Sequence, residues 1–305
     1  MIRRLARLAL CLYPLAFRRR YGQEMSALLD QTPPRVPAVL DLLRGALIAH
    51  LRAPPAVAGR VNAGDRLRAS ASGQLACWVA FAAAGFGFYK TTEDAPFTAA
   101  GHAHSLLGDA HVAVQALSIV ASAAVLLGAL PLILAALAAA RRQPSLRFTV
   151  SVPVLAVVLL AGLTGVLVLI AHSGHSHRAT TAGGGAFIAW GLAGLACCAV
   201  CVVASRRALF AVSLPRWRLI AALACGTLVS GAMAAMAFAT ALYAIALPID
   251  ASHLAGAPNG PLGAISTDVS LAAQLIVMLL AETLAVTTTR RGWRVVGQVG
   301  AEGPR

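Results

Sequence analysis

The sequence predicts an all-α protein, a polytopic six-helix transmembrane bundle with a small amphipathic helical cytoplasmic segment at its N-terminus. Three observations predict this fold class. Apolar residues make up 59% of the 305 residues and charged residues only 12%, whereas soluble domains contain about 25% charged residues. Six apolar stretches can each cross a bilayer core of about 30 Å, which takes about 20 helical residues. Finally, the segments that connect these stretches are alternately rich and poor in basic residues.

The apolar stretches give the domain organisation. The predicted spans are near residues 70–89, 112–139, 148–171, 185–204, 219–247 and 269–288. A basic helical segment (1–52) and a linker rich in proline, alanine and arginine (53–69) precede them, and a cytoplasmic tail (289–305) follows. We expect Pro131 to kink the second span and the fifth to tilt or turn before Pro248. No alternating strand pattern recurs, which favours helices over a barrel.

The distribution of basic residues predicts the orientation. Of the 25 basic residues, 23 lie before the first span, between spans two and three, between spans four and five, or after the last. The other side holds only Lys90 and Arg178 and is rich in acidic residues. The positive-inside rule therefore predicts that both termini are cytoplasmic, in a bacterial inner membrane. Because the net charge of +14 is spread along this side of a bundle, we expect no nucleic-acid partner.

The segment before the first span is predicted to form short helices near 2–12, 15–29 and 38–51. Phe17, Tyr21, Met25 and Leu28 recur at helical spacing and make one apolar face. Arginines surround this face, and each contributes about 1 kcal/mol of attraction near an anionic leaflet. The segment is therefore predicted to lie on the anionic inner leaflet of the bilayer.

Several short motifs in this segment are recognisable. They are Leu12-Tyr13-Pro14, the run from Phe17 to Met25 (FRRRYGQEM), Leu28-Leu29-Asp30 and the run from Asp41 to Ala46 (DLLRGA). Over about the first 50 residues the chain resembles a family of uncharacterised actinobacterial multi-pass membrane proteins. A similar segment precedes some ABC export permeases of the FtsX/MacB type. The resemblance implies a docking or anchoring element that contacts lipid, a cytoplasmic ATPase or a regulatory protein. The candidate contact residues are Tyr13, Arg18, Arg19, Arg20, Tyr21 and Glu24.

Glu282 is the one ionisable residue well inside a predicted span. An ionised carboxyl at this depth is costly, which makes Glu282 a candidate for coupling transport to a proton or cation. The alternative is a carboxyl that joins helices through hydrogen bonds. The polar residues considered as its partners are Thr283, Gln115, Ser118, Ser122, Thr164, Thr227 and Ser230.

The histidines and cysteines offer two further patterns. Seven of eight histidines are predicted on the outer side, where His172, His175 and His177 with His102 and His104 are candidate ligands for Zn²⁺ or Cu²⁺. They are equally compatible with a pH sensor or with ordinary polar loops. The Cys197-Cys198-x-x-Cys201 motif lies inside span four, where cysteine behaves as a small apolar residue. We expect it to pack rather than to react.

The sequence contains no nucleotide-binding, protease or kinase motif and no cofactor signature. It therefore predicts a non-enzymatic membrane protein without a cofactor that acts through a partner. Two forms of this function stay open, a permease-like subunit served by a separate ATPase and a membrane-embedded regulator. The alternative is a stand-alone secondary transporter that uses Glu282.

Overall fold

The computed structural model of the chain describes residues 6, 10, 13, 15–31, 37–39, 41–42, 45–46, 63–173, 181–212, 214–259 and 265–301. The all-α prediction is confirmed, because long helices dominate these residues. Their order is α1 (Leu15–Gln31), α2 (Ala63–Thr92), α3 (Ala95–Ala103), α4 (Ser105–Arg142), α5 (Pro144–Ser173), α6 (Thr181–Ala211), α7 (Arg216–Asp250), α8 (Ser252–Ala255), β1 (Pro258–Asn259), β2 (Ile265–Ser266) and α9 (Thr267–Ala301).

The predicted number of spans is confirmed among the described residues. Six helices, α2, α4, α5, α6, α7 and α9, are long and apolar enough to cross a membrane. Each contains the predicted span and extends beyond it, because hydropathy detects only the part that lies in hydrocarbon. The protein is therefore a multi-pass membrane protein with a helical bundle as its membrane domain.

The bundle consists of a four-helix core and a peripheral pair. Helix α7 lies at the centre and packs on α4, α9 and α2, while α2 and α9 pack on each other. Helices α5 and α6 pack mainly on each other. Only 6% of the residues in the apolar spans of α5 and α6 are buried within the protein, against 17% in α4, 22% in α9, 39% in α2 and 44% in α7. The pair, which we call the α5–α6 hairpin, therefore adds little to the core.

Large apolar side chains fill the core in three layers. The smallest layer, formed by Leu67, Leu219, Leu223 and Val295, lies at the basic end of the bundle. The middle layer of the bundle centres on Phe81, Met233, Met236 and Met278, all of them buried. The outer layer centres on Phe88, Tyr243, Leu247 and Leu271. The rings of Phe88 and Tyr243 meet edge to face at 5.3 Å between centroids, an arrangement that aromatic pairs prefer. All three layers join α2, α7 and α9.

Several boundaries differ from the sequence prediction. Helix α2 begins at Ala63, so the predicted linker 53–69 ends in helix. Helix α9 continues to Ala301, so most of the predicted tail 289–305 is helical as well. Polar and charged residues occupy these extensions, which a hydropathy window excludes. Helix α4 continues through Pro131, and α7 continues through Pro248 to Asp250.

The predicted outer loops also contain structure. Helix α3 lies between α2 and α4, and α8 with a short antiparallel ladder lies between α7 and α9. Helices α3 and α4 meet at a tight corner, where a Cβ at Gly108 would lie 2.6 Å from the carbonyl oxygen of Gly101. Only glycine fits this approach without a shift of the backbone.

In the N-terminal segment, the described part of the predicted helix 15–29 is α1, and it extends to Gln31. Residues 37–39, 41–42 and 45–46 are helical, as are residues 6 and 10, in agreement with the other two predicted helices. The remaining residues of those two helices lie outside the described part of the chain.

Candidate functional site

Glu282 lies on α9, which packs along α2. Its side chain is half-buried, and Ala281 and Ala285 of the same helix belong to the middle core layer. The thiol of Cys77 on α2 is close enough to interact with this carboxyl electrostatically. Its Oε2 atom is buried and has no hydrogen-bond partner among the described residues. An unpaired carboxylate is costly at such a position, which favours a neutral carboxyl.

The polar residues predicted as partners of Glu282 are engaged elsewhere, so that prediction is wrong. Ser122 is exposed, and each of the others takes part in a different hydrogen bond. These bonds run from Thr283 to Leu279 O, from Ser118 to Gln115 O, between Gln115 and His111, from Trp190 to Thr164, from Trp293 to Thr227 and from Gln74 to Ser230. Thr283, Ser118 and Gln115 are engaged within their own helices. Thr164, Thr227 and Ser230 are engaged by side chains of other helices.

Gln74 on α2 is the centre of a buried polar junction that sequence reasoning missed. Its Nε2 donates to the carbonyl oxygen of Gly226 and, at 2.9 Å, to Ser230 Oγ, both on α7. Its Oε1 accepts a hydrogen bond from Thr289 Oγ1 of α9 at 2.6 Å. One side chain thus joins three core helices, and we call this cluster the Gln74 junction. An amide in an apolar span was the signal available, because buried amides require partners.

Glycines allow the helices to approach at this junction. A Cβ at Gly226 would lie 2.8 Å from Gln74 Oε1. A Cβ at Gly292 of α9 would lie 2.7 Å from Ser70 Oγ, which itself donates to Thr288 O at 2.6 Å. The lack of a side chain at Gly226 and at Gly292 therefore permits close packing within the bundle.

A second amide joins α2 and α9 nearer the end of the bundle that is poor in basic residues. Gln274 Nε2 donates to Thr91 Oγ1 at 3.1 Å and to Ser270 Oγ at 3.0 Å. Along α9, Glu282 lies eight residues from Gln274 and seven from Thr289, about 12 Å and 10 Å of helix. Buried Met278 and Ala285 occupy the intervals. Among the residues that the structure describes, these polar groups are therefore separated from one another and do not form a continuous polar path across the bundle.

The aromatic residues of the N-terminal motif stack on one another. Tyr13 is buried and its ring lies 4.8 Å from that of Phe17, which in turn lies 5.0 Å from that of Tyr21. The Tyr13 hydroxyl packs against Gly45, where a Cβ would collide with it. Burial, and to a lesser extent Asp41, raises the pKa of Tyr13. Tyr13 therefore packs inside the segment.

The other candidate docking residues are on α1. Tyr21 and Glu24 are exposed and Arg18 is half-buried. Arg19 and Arg20 belong to the same helix, and their side chains lie outside the described part of the structure. The exposed side chains of Tyr21 and Glu24 are compatible with a docking or lipid-facing role, which stays a prediction.

The candidate metal ligands are only partly described. His102 is exposed on α3, and His104 lies at the corner between α3 and α4 with its Nδ1 4.0 Å from Asp250 Oδ1. His172 belongs to α5, but its side chain, and the whole of His175 and His177, lie outside the described residues. Within the described ranges, no three metal-binding side chains converge. The Zn²⁺ or Cu²⁺ site stays a prediction.

The cysteine motif lies inside the α5–α6 hairpin. Cys197, Cys198 and Cys201 are free thiols on α6, and Cys201 Sγ lies 3.9 Å from Pro153 O on α5. A hydrogen bond of 2.9 Å from Trp190 Nε1 to Thr164 Oγ1 also joins the two helices. These contacts agree with packing within the hairpin.

Three arginines on the basic side of the bundle bind carbonyls near helix ends. Arg147 Nε donates to Ala140 O at the end of α4, at 3.2 Å. Arg68 donates to Val212 O just after α6, at 3.0 Å, and Arg216 donates to Val296 O in the last turns of α9, at 3.3 Å. Ala140 O and Val212 O lie where their helices end, and such carbonyls lack helical partners and carry partial negative charge, so the contacts from Arg147 and Arg68 are favourable.

Comparison with known proteins gives no relative. No protein-family model, curated protein or solved structure matches the chain.

Proposed function

We propose that the protein is a non-enzymatic subunit of a bacterial inner-membrane complex and acts through a partner, as a permease-like subunit or a membrane-embedded regulator. The observation that carries the proposal is the contrast between the buried four-helix core and the α5–α6 hairpin, of whose spans only 6% of residues are buried. These two spans therefore bury few of their apolar side chains, although α6 also packs on α2 and α5 on α4. A partner protein in the membrane would bind the exposed apolar side chains of these helices, which the bundle itself leaves uncovered.

The closed core supports the same proposal. The amides of Gln74 and Gln274 bind side chains and carbonyls of neighbouring helices, and buried apolar residues separate both from Glu282. A transporter that acts alone needs a polar route across the bilayer, and transport sites are commonly built from broken helices near the midplane. The described core helices are continuous through their spans. A subunit that supports or regulates another protein has no such need.

The proposed orientation places the basic side in the cytoplasm, with both termini there. The concentration of 23 of 25 basic residues on one side supports it. Helix α1 and its exposed residues Tyr21 and Glu24 would then face the anionic inner leaflet, a cytoplasmic ATPase or a regulatory protein. The same arrangement leaves no basic face for nucleic acid.

Site-specific photocrosslinking in native membranes tests the proposal. A photoreactive side chain replaces exposed Leu159 on α5 or Leu195 on α6, and exposed Leu127 on α4 or Leu280 on α9 serves as the matched control. We expect a discrete protein adduct at the hairpin positions and lipid adducts at the controls. An ATP-binding protein in the adduct, or one co-purified with the chain and lost on removal of residues 1–52, favours the permease-like subunit. Lipid adducts at all four positions would contradict the proposal.

A second candidate function rests on Glu282. Its buried Oε2 atom without a partner is the observation that favours a stand-alone secondary transporter coupled to protons or cations. Such a protein would transport in reconstituted vesicles without any other subunit. The Glu282→Gln variant discussed below separates this candidate from the first.

A further inference from the structure

A cavity of about 240 Å³ lies at the basic end of the bundle, where α2 and α7 begin and the last turns of α9 pass. Leu67, Leu214, Leu219 and Val295 supply apolar walls. Arg216 supplies the charged group of the lining and is itself exposed, so it stands at the rim. The cavity is therefore amphipathic, with apolar walls and a guanidinium at its mouth.

The surroundings of this cavity are strongly basic. Arg68 binds the carbonyl of Val212, two residues before the wall residue Leu214, and Arg216 binds the carbonyl of Val296, next to the wall residue Val295. The Nε atoms of Arg68 and Arg218 are buried and lack acceptors among the described residues. The nearby acid Asp65 is paired with Arg68 at 2.8 Å. The start of α7 at Arg216 adds its positive dipole end. An occupant of this cavity is thus expected to carry negative charge.

We infer that the cavity binds one anionic phospholipid of the leaflet on the basic side, with its phosphate on Arg216 and the start of an acyl chain between the leucines. The apolar walls disfavour inorganic phosphate, because one guanidinium does not replace the hydration that a free anion loses there. The basic surroundings disfavour a neutral lipid. The inference rests on the proposed place of the chain in a membrane and extends it to a defined lipid site.

Three variants of the full chain isolate the two parts of this site. Arg216→Gln removes the charge at the rim. Gly64→Leu adds an apolar side chain at a lining position where a Cβ has no heavy atom of the described residues within 4 Å, and it does not change the charge. Arg207→Gln removes an exposed charge on α6, on the same side of the bundle and outside the cavity lining, and is the control.

Binding is measured by native mass spectrometry of the purified chain with phosphatidylglycerol, phosphatidylcholine or inorganic phosphate. We expect one retained phosphatidylglycerol per chain and weaker retention of phosphatidylcholine. The phosphate of phosphatidylcholine can still contact Arg216, but the basic surroundings repel its quaternary ammonium group. Arg216→Gln and Gly64→Leu should each lower phosphatidylglycerol retention by about tenfold or more, and Arg207→Gln should retain it.

Three results would overturn the inference. Equal retention of the two lipids would show that the cavity does not select for negative net charge, and equal loss in Arg207→Gln and Arg216→Gln would show a diffuse charge effect. Displacement of the lipid by inorganic phosphate would show a free-anion site. If Arg216→Gln does not fold, as judged by circular dichroism, Gly64→Leu decides alone. Each of these results leaves the crosslinking test of a protein partner unaffected, because that test is read at α5 and α6.

Discussion

The hydroxyl of Thr289 on α9 donates a hydrogen bond to the side-chain oxygen of Gln74 on α2, at 2.6 Å. The two residues are 215 positions apart in the chain, yet this contact closes the Gln74 junction by adding α9 to the contacts that Gln74 makes with α7. Apolar attraction between helices is weak in a bilayer, since lipid tails are as apolar as the helices themselves. A satisfied buried amide therefore gives these three helices a specific register.

The Gln74 junction should contribute measurably to stability. Gln74→Leu keeps the approximate volume and removes the hydrogen bonds to Gly226, Ser230 and Thr289. We expect the free energy of unfolding to fall by about 1–2 kcal/mol, because interhelical hydrogen bonds in membranes contribute about 0.6 kcal/mol each and at most about 1.7. Unfolding by detergent titration measures it. Gln115→Leu, at an exposed amide on α4, is the control, and an equal loss in both variants would count against a special role for Gln74.

Two glycines of α7 should respond oppositely to alanine. A Cβ at Gly226 lies within 2.8 Å of Gln74 Oε1, whereas a Cβ at Gly231 has no heavy atom within 4 Å. Gly226→Ala should displace the amide and lower the free energy of unfolding by about 1–2 kcal/mol. Gly231→Ala should leave it unchanged or raise it by up to about 1 kcal/mol, the difference in helix propensity. The same unfolding titration compares them, and similar values for the two variants would refute the packing seen at Gly226.

Glu282→Gln separates the two candidate functions. The substitution keeps the shape and removes the ability to ionise, so we expect normal protein levels, normal stability and an unchanged partner adduct at Leu159. In proteoliposomes that contain the chain alone, we expect no proton-driven uptake for either the native chain or the variant. Uptake by the native chain that Glu282→Gln abolishes and the exposed-site control Glu93→Gln retains would establish the transporter instead.

The N-terminal segment should lose stability in alkali. The pKa of Tyr13 is raised above its ordinary value of 10.0 by burial and by Asp41, so the folded segment favours the neutral phenol. Its contribution is fully present below about pH 10 and is lost as the pH rises through the higher folded-state pKa. The difference in phenolate absorbance between the native chain and Tyr13→Phe should therefore titrate at a higher pH in the folded than in the denatured protein. Coincident titrations would contradict the buried position.

The spans could be predicted from sequence because hydropathy is a local property. Each predicted span lies within a helix. The predicted boundaries are wrong where a helix continues beyond its apolar part with polar residues, as at Ala63–Ala69 and beyond Thr288. The Gln74 junction could not be predicted, since its partners Gly226 and Thr289 are distant in sequence and their meeting depends on which helices pack together. The same lack of pairing information produced the wrong partners for Glu282.

The low burial of the α5–α6 hairpin was equally hidden from the sequence. Its spans have mean hydropathies of 2.7 and 2.2, within or above the range of the core helices. Lipid and a protein core select for the same apolar composition. The sequence therefore distinguishes helices that cross the membrane from those that do not, but does not distinguish central helices from peripheral ones.

Arg68, Arg147 and Arg216 have two roles: their charge contributes to the orientation of the chain, and their guanidinium groups bind carbonyls near helix ends. Charge alone supplies only the first role. Any cation at positions 68, 147 and 216 would keep the orientation that the membrane insertion machinery reads. Lysine, however, lacks the planar fork of donors with which a guanidinium reaches a carbonyl on a neighbouring segment. A chain with lysine at all three positions would thus insert with the native topology and assemble with loosened helix ends. Such a variant would separate the insertion of the chain into the membrane from the assembly of its helices, without any change in net charge.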